Sequence, residues 1–170
     1  YTFENNGIDF TLDPTSSDKL VVAFGSENAN GIDSITFGGV SMTQALYRND
    51  SKEIAIFYLD NPATNGDLFI NPSGSSVNGV GGAIFALSYT ELGFGQTSDS
   101  SGGSTTLTAS ADSFVVAIAA MNQTNTPPEA QSPLTGVFSS GSGSSATGVG
   151  YQVPGSSGEL TPTFNNSPAL

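Results

Sequence analysis

The apolar residues of this chain come in short runs separated by glycine, asparagine, serine and proline. This punctuation constrains the fold more than any other feature. Within a typical run, Ile8, Phe10 and Leu12 alternate with polar residues, and Asp13-Pro14 ends the run. Alternation with a period of two is typical of a strand that buries one face, whereas no window of about 11 residues carries the apolar spacing of an amphipathic helix. The pattern therefore predicts an all-β chain with little helix.

Two longer runs are apolar almost without interruption, Leu20–Phe24 and Ser113–Met121. Runs of this length without polar alternation are typical of strands that are buried on both faces. Gly38-Gly39 stands between two alternating runs and predicts a two-residue hairpin, because both central residues of such a turn need positive φ. The stretches 96–104 and 139–145, rich in serine and glycine, are predicted to be loops within the domain.

About 11 or 12 strands at this spacing indicate an antiparallel two-sheet β-sandwich that is jelly-roll-like. A chain of 170 residues has the size of one domain, so residues 1–170 are predicted to form a single β-sandwich domain. Residues 1–12 are predicted to be either a strand at its edge or a strand donated to a neighbouring copy. The predicted core consists of Leu20, Val22, Phe24, Ile35, Phe37, Ile54, Ile56, Phe57, Ile84, Phe85, Val115, Val116 and Ile118.

The charges are strongly unbalanced, with 15 acidic residues, 3 basic ones and a net charge of −12. Such a chain cannot neutralise a nucleic-acid backbone and is repelled by anionic membranes. It has no histidine and no cysteine, so it lacks the side chains of the common nucleophilic systems and of zinc, haem and iron–sulfur sites. Carboxylate pairs could serve a glycosidase, but no signature selects a pair. No apolar run reaches the roughly 20 residues that span a bilayer. We therefore expect no enzyme, no nucleic-acid partner and no membrane insertion.

Clusters of oxygen-bearing side chains make Ca²⁺ the cofactor that this composition could bind, because calcium takes six to eight oxygen ligands from loops. The strongest candidate metal site is Glu27, Asn28, Asn30 and Asp33, where Gly31 permits a sharp turn. None of the clusters matches the calcium loop of an EF-hand, and ordinary turn chemistry explains the same residues. Two further clusters have a similar composition: Asn49, Asp50 and Glu53; and Asp60, Asn61, Asn65 and Asp67.

A glycan site usually presents an exposed tryptophan or tyrosine that stacks on the sugar. The chain has no tryptophan and five tyrosines. Tyr47 precedes Arg48 and stands near Asp50, so these three residues are predicted to form an exposed binding loop. The tyrosines inside strand patterns are predicted to pack on a sheet instead: Tyr58, Tyr89 and Tyr151.

The shortage of lysine bears on the edges of the predicted sheets. Soluble β-proteins place lysine on edge strands to prevent pairing with other chains, and this chain has only Lys19 and Lys52. Unguarded edges favour assembly by strand addition, for which the segment Tyr1–Leu12 is a candidate donor. The partners predicted from these features are copies of the same chain.

Four segments together resemble secreted bacterial jelly-roll modules of exported and surface proteins: Asp18–Phe24, Ser34–Val40, Ile54–Pro62 and Gly148–Val153. The resemblance rests on strand and turn patterns and spans most of the chain. It implies a two-sheet sandwich and an extracellular or cell-surface location. It implies no catalytic residue.

These observations lead to two functional hypotheses. The first is a non-enzymatic extracellular structural subunit that assembles with copies of itself into a filament, a surface layer or a coat. The second is a calcium-assisted carbohydrate-binding or adhesion module with glycans as partners. The first explains the unguarded edges, and the second explains the clusters of oxygen ligands.

Overall fold

The computed structural model describes residues 8–12, 14, 17–26, 32–49, 52–63, 65–72, 81–88, 105–122, 126–142 and 145–165. These ranges contain no helix, and hence none that is long and apolar enough to cross a membrane. Their strands, in chain order, are β1 (Ile8–Leu12), β2 (Lys19–Ser26), β3 (Ile32–Phe37), β4 (Val40–Ser41), β5 (Thr43–Asn49), β6 (Glu53–Asp60), β7 (Gly66–Pro72), β8 (Gly81–Leu87), β9 (Leu107–Ala109), β10 (Val115–Asn122), β11 (Thr135–Ser142), β12 (Ser145–Gln152) and β13 (Gly158–Leu160).

The described strands form antiparallel sheets, which confirms the all-β prediction. The central sheet has the strand order β5-β6-β2-β8, and the outer sheet has the order β1-β7-β3-β4. The rear sheet has the order β10-β12-β11, and β13 and β9 form a separate ribbon. The sequence predicted two sheets, whereas the described strands form four.

The two inner strands of the central sheet, β2 and β6, are buried on both faces, as the uninterrupted apolar run of β2 predicted. Because successive side chains of a strand point to opposite faces, Leu20 and Val22 belong to a core shared with the outer sheet. Val21 and Ala23 belong to a second core, shared with the rear sheet. Three sheets are therefore stacked, and the central one supplies both cores.

The core between the outer and central sheets contains six of the predicted core residues, including Phe24, Phe37 and Phe57. Its buried members are Leu20, Val22, Phe24, Ile32, Ile35, Phe37, Met42, Ala55, Phe57, Leu68 and Ile70. The buried side chains of the core between the central and rear sheets are smaller, and no phenylalanine is among them. Its buried members are Val21, Ala23, Ile54, Ile56, Ile118, Ala120 and Val149.

The strand pairs around the β5–β6 hairpin are nested. β5 pairs with β6, β3 pairs with β7, and β2 pairs with β8, as in a long two-stranded ribbon. Two further pairs, β2 with β6 and β1 with β7, join strands that are not partners in this ribbon. The nesting places the first residues of β3 and β6 beside the last residues of β2 and β5.

The hairpin predicted at Gly38-Gly39 is confirmed. The two glycines have φ values of 56° and 79° and connect β3 to β4. Met42 then donates its amide hydrogen to the carbonyl of Ile35 at 2.8 Å. The chain leaves the outer sheet after this bond and enters the central sheet as β5.

The first strand pairs with its own chain. β1 forms an edge of the outer sheet, and its Thr11 hydroxyl donates to the Asp67 carboxylate of β7 at 2.7 Å. Residues 1–7 of the predicted edge or donor strand lie outside the described residues.

Several predictions about individual residues are corrected. Ile84 was expected in the core but is 37% exposed, because β8 is an edge strand. Phe85 and Val116 are half-buried rather than fully buried. Residues 139–145 were expected to be a loop, yet residues 139–142 belong to β11 and Ser145 begins β12.

Candidate functional site

Glu53 is a carboxylate placed where three strands of the central sheet end or begin. It is the first residue of β6 and lies opposite Ser26 of β2 and Asn49 of β5. Residues directly opposite one another point to the same face of a sheet, and that face here is covered by the outer sheet. Glu53 is consequently 0% exposed, and a buried carboxylate needs hydrogen-bond donors to offset the loss of water.

The donors come from both sheets. The Ser26 hydroxyl donates to Glu53 Oε2 at 2.8 Å, and the Ile32 amide donates to Glu53 Oε1 at 2.9 Å. The Tyr47 side chain also forms a hydrogen bond with Glu53. The side-chain amide of Asn49 donates through Nδ2 to the Tyr47 hydroxyl at 3.2 Å. We call Ser26, Ile32, Tyr47, Asn49 and Glu53 the carboxylate junction.

Burial decides the titration of the junction. Removal from water raises the pKa of Glu53, and the hydrogen bonds from Ser26, Ile32 and Tyr47 offset part of this effect. Burial also raises the pKa of Tyr47. The hydrogen bond from Asn49 lowers this pKa in part, and the neighbouring charge of Glu53 raises it further. Both groups are therefore harder to ionise than in water.

The junction lies at the two ends of the predicted calcium loop. Ser26 directly precedes the segment 27–31, and Ile32 directly follows it. Asp33 is an exposed residue of β3 at a register irregularity between Ile32 and Ser34. The other three predicted metal ligands lie outside the described residues: Glu27, Asn28 and Asn30.

The predicted glycan-binding residues lie beside the junction. Tyr47 and Arg48 belong to β5, so the prediction that Tyr47 occupies a loop is wrong, although the residue is 37% exposed. Asp50 lies outside the described residues. Tyr47 and Arg48 are adjacent in the strand and therefore point to opposite faces of the sheet.

Within the described ranges, no group of three or more acidic side chains is arranged to hold a metal ion. The two carboxylate oxygens of Glu53 accept hydrogen bonds from protein groups. The composition of the 49–53 cluster did not reveal this structural role of Glu53. The sequence signal that could have revealed it is the position of Glu53 at the start of a fully apolar strand.

A second polar group lies at the opposite end of the central sheet. Lys19 of β2 is buried, and its ammonium pairs with the Asp60 carboxylate of β6. The same ammonium lies 4.3 Å from the centroid of the Tyr58 ring. Ion pairing and the ring face together offset the burial of the charge. Sequence reasoning missed this group because the three residues are joined only by strand register.

Aromatic side chains pack between the central and rear sheets near this end. Phe114 and Tyr151 are stacked with ring centroids 5.2 Å apart, and Phe85 contacts both rings edge-on. Tyr58 packs against the same core. Tyr58 and Tyr151 thus pack between sheets as predicted, and Tyr89 lies outside the described residues.

The described edge strands carry little positive charge. Lys19 lies on the inner strand β2, Lys52 lies in the turn between β5 and β6, and Arg48 lies on the edge strand β5. The edge strands β8 and β11 contain no charged residue at all. β10 is also uncharged, but most of its side chains are buried.

Comparisons with models of known protein families, with curated proteins and with solved structures found no match for this chain.

Proposed function

We propose that this chain is a non-enzymatic structural subunit that assembles with copies of itself outside the cell, in a filament, a surface layer or a coat. The observation that carries the proposal is that no edge strand among the described residues bears a lysine. Edge strands expose unpaired amide and carbonyl groups, and lysine is a common device that stops another chain from pairing with them. Without it, the edges are open to a second copy.

The net charge of −12 sets the conditions for assembly. Copies of so acidic a chain repel one another at low ionic strength. At physiological salt the Debye length is about 8 Å, so surface charges further apart than this are largely screened. We propose that the protein assembles in an extracellular or cell-surface medium, where salt or divalent cations screen this charge.

The fold that we propose for this subunit is a jelly roll built from β1 to β8, with the rear sheet stacked on it. A jelly roll is a long antiparallel ribbon rolled into two sheets. The nested pairs β5–β6, β3–β7 and β2–β8 are those of the ribbon, and the pairs β2–β6 and β1–β7 are those that rolling creates.

Light scattering after size exclusion tests the proposed function directly. The protein is analysed at increasing concentration, once at low salt and once at physiological salt. We expect a mass above that of the 17.2 kDa chain at physiological salt, and a lower average mass at low salt. A monomer at every concentration and at both salt levels would refute the structural-subunit proposal.

A second candidate function is a calcium-assisted carbohydrate-binding or adhesion module. The carboxylate junction favours it, because Ser26 and Ile32 hold both ends of the segment that contains Glu27, Asn28 and Asn30. Fixed ends would reduce the ordering that calcium binding requires. In this proposal Asp33 is a ligand, and the neighbouring Tyr47, which is partly exposed, contacts the glycan.

Thermal unfolding separates the two candidates. Asp33→Ala should lower the melting temperature in the presence of calcium and leave it unchanged with a chelator. An equal change in both conditions would count against the metal site. Binding to a glycan array with and without chelator completes the test, and no binding in either condition would exclude the carbohydrate-binding module.

A further inference from the structure

Two of the uncharged edge strands, β8 and β11, lie on the same flank of the molecule. Among the strands that the structure describes, β8 is an edge of the central sheet and β11 is an edge of the rear sheet. The two sheets are stacked so that β8 lies over β11 and β12, while β2 lies over β12 and β10. We call β8 and β11 together the uncharged flank.

Close packing joins the two edges into one surface. A Cβ atom built at Gly81 of β8 would lie 2.6 Å from the Phe138 ring of β11, so the ring rests directly on the glycine backbone. Phe138 packs on the core between the two sheets, together with Ala83 and Phe85 of β8. The two edges are therefore held at a fixed position relative to each other.

The flank also exposes apolar side chains. Ile84 is 37% exposed and Val137 is 46% exposed. Ile84 lies on the face of β8 that continues the face of Val22, its partner in β2. On this face, the outer sheet covers the side chains of β2 and β6, such as Val22. Ile84 is not part of that core and remains partly exposed.

We propose that the uncharged flank is the surface through which a second copy of this chain binds, with β8 paired to β8 and β11 paired to β11 of the partner. A two-fold axis normal to the sheets brings each strand against its own antiparallel copy and keeps each sheet in its own layer. The central and rear sheets then continue across the dimer. This inference deepens the proposed function, on which it rests, by naming the surface that assembles.

The lack of charge on β8 and β11 favours a second copy as the occupant. Two copies of a chain with a net charge of −12 repel one another overall. Neither strand of the flank contributes a charged side chain to a symmetric contact, so like-charge repulsion across the paired strands is absent. An uncharged strand paired with itself is self-complementary, as a two-fold contact requires.

The two strands differ in regularity. β8 pairs with β2 without a register shift over Gly81–Leu87, so its outer edge is straight. β11 has an irregularity between Gly136 and Phe138, where Val137 is the additional residue. A bulge weakens pairing at an edge, and β8 consequently contributes more main-chain bonds to the dimer than β11.

A set of lysine substitutions tests the flank. Ile84→Lys and Val137→Lys place a charge on each of its strands, and Val40→Lys is the matched control because Val40 is an exposed apolar residue of the outer sheet. All three substitutions make the chain less acidic, so a general charge effect would favour association in all of them. Circular dichroism establishes that each variant is folded before its mass is measured by light scattering at physiological salt.

We expect the wild type and Val40→Lys to form dimers or multiples of dimers. The dimer dissociation constant should be at least about tenfold higher for Ile84→Lys and for Val137→Lys. If both flank variants associate as the wild type does, the flank is not the interface, although the proposed function stands. If only one of them loses affinity, the two-layer contact is refuted. If the wild type itself is monomeric, the proposed function fails.

Discussion

Glu53 Oε1 accepts the amide hydrogen of Ile32 at 2.9 Å, and this bond fastens the outer sheet to the central sheet. Glu53 begins β6 of the central sheet and Ile32 begins β3 of the outer sheet. Ser26, which donates to the other carboxylate oxygen at 2.8 Å, ends the strand from which the chain crosses to Ile32. One carboxylate thus holds both ends of the crossing.

Replacing Glu53 by alanine should strongly destabilise the protein. The Ile32 amide and the Ser26 hydroxyl would be left in the interior without their acceptor, which lowers the free energy of unfolding by about 2 to 4 kcal/mol. Chemical denaturation measures this change. Asp33→Ala is the control, since Asp33 is an exposed neighbour on β3. A loss for Glu53→Ala no larger than the control loss would contradict the structural role of the junction.

Replacing Glu53 by glutamine should change the pH dependence of stability. Burial raises the pKa of Glu53 above its ordinary value of 4.5, so the folded state binds the proton more tightly than the unfolded state. The wild type should therefore lose stability as the pH rises through the window that begins near 4.5 and ends at the folded pKa. Glutamine removes this loss, because it carries no charge to bury.

The measurement is the difference in free energy of unfolding between wild type and Glu53→Gln from about pH 4 to about pH 8. The wild type should become less stable relative to the variant as the pH rises, and the difference should then level off. A difference that does not vary with pH would show that the carboxyl group titrates normally in the folded state.

The burial of the Lys19–Asp60 pair predicts that Asp60→Asn destabilises the protein more than Lys19→Met does. The Lys19 side chain is 8% exposed and the Asp60 side chain is 43% exposed. Asp60→Asn removes the negative charge that pairs with the buried Lys19 ammonium and should lower the free energy of unfolding by about 1 to 2 kcal/mol, since solvent screens part of the pair. Lys19→Met removes the buried charge but keeps the packing of the aliphatic part of the side chain. It should change the free energy of unfolding by less than about 1 kcal/mol. Thermal denaturation at neutral pH measures both, and the reverse order would contradict the stabilising role of Asp60.

Close packing of the rear sheet predicts a glycine that cannot be replaced. A Cβ atom at Gly148 of β12 would lie 2.1 Å from the carbonyl oxygen of Pro128, which is part of the segment that covers this sheet. Gly148→Ala should therefore lower the free energy of unfolding by about 3 kcal/mol or more. Gly158→Ala is the matched control, because no atom lies within 4 Å of its Cβ position. Equal stability of the two variants would refute the packing of Pro128 on β12.

Local sequence patterns predicted the features that depend on neighbouring residues. Gly38-Gly39 specifies its hairpin because positive φ at both positions is a local requirement. The run Leu20–Phe24 specifies a strand buried on both faces because no polar residue interrupts it. Neither inference needed to know which strand pairs with which.

Long-range pairing produced the features that the sequence did not predict. Ile84 is as apolar as its neighbours, and only the position of β8 at a sheet edge makes it exposed. The serine and glycine residues of β11 carry no alternation, since they lie on an exposed edge strand. Glu53 resembled a surface acid because its donors, Ser26 and Ile32, lie 27 and 21 residues away in the chain.

Hydrogen exchange of the β8 amides reports whether the chain assembles through its uncharged edges. Mass spectrometry follows exchange in Gly81–Leu87 at physiological salt, at protein concentrations well below and well above the onset of association. The outward-facing amides of β8 should become protected at the higher concentration, while those of Val40–Ser41 should exchange at the same rate in both samples. Unchanged exchange in β8, in a sample that light scattering shows to be associated, would contradict assembly through these edges.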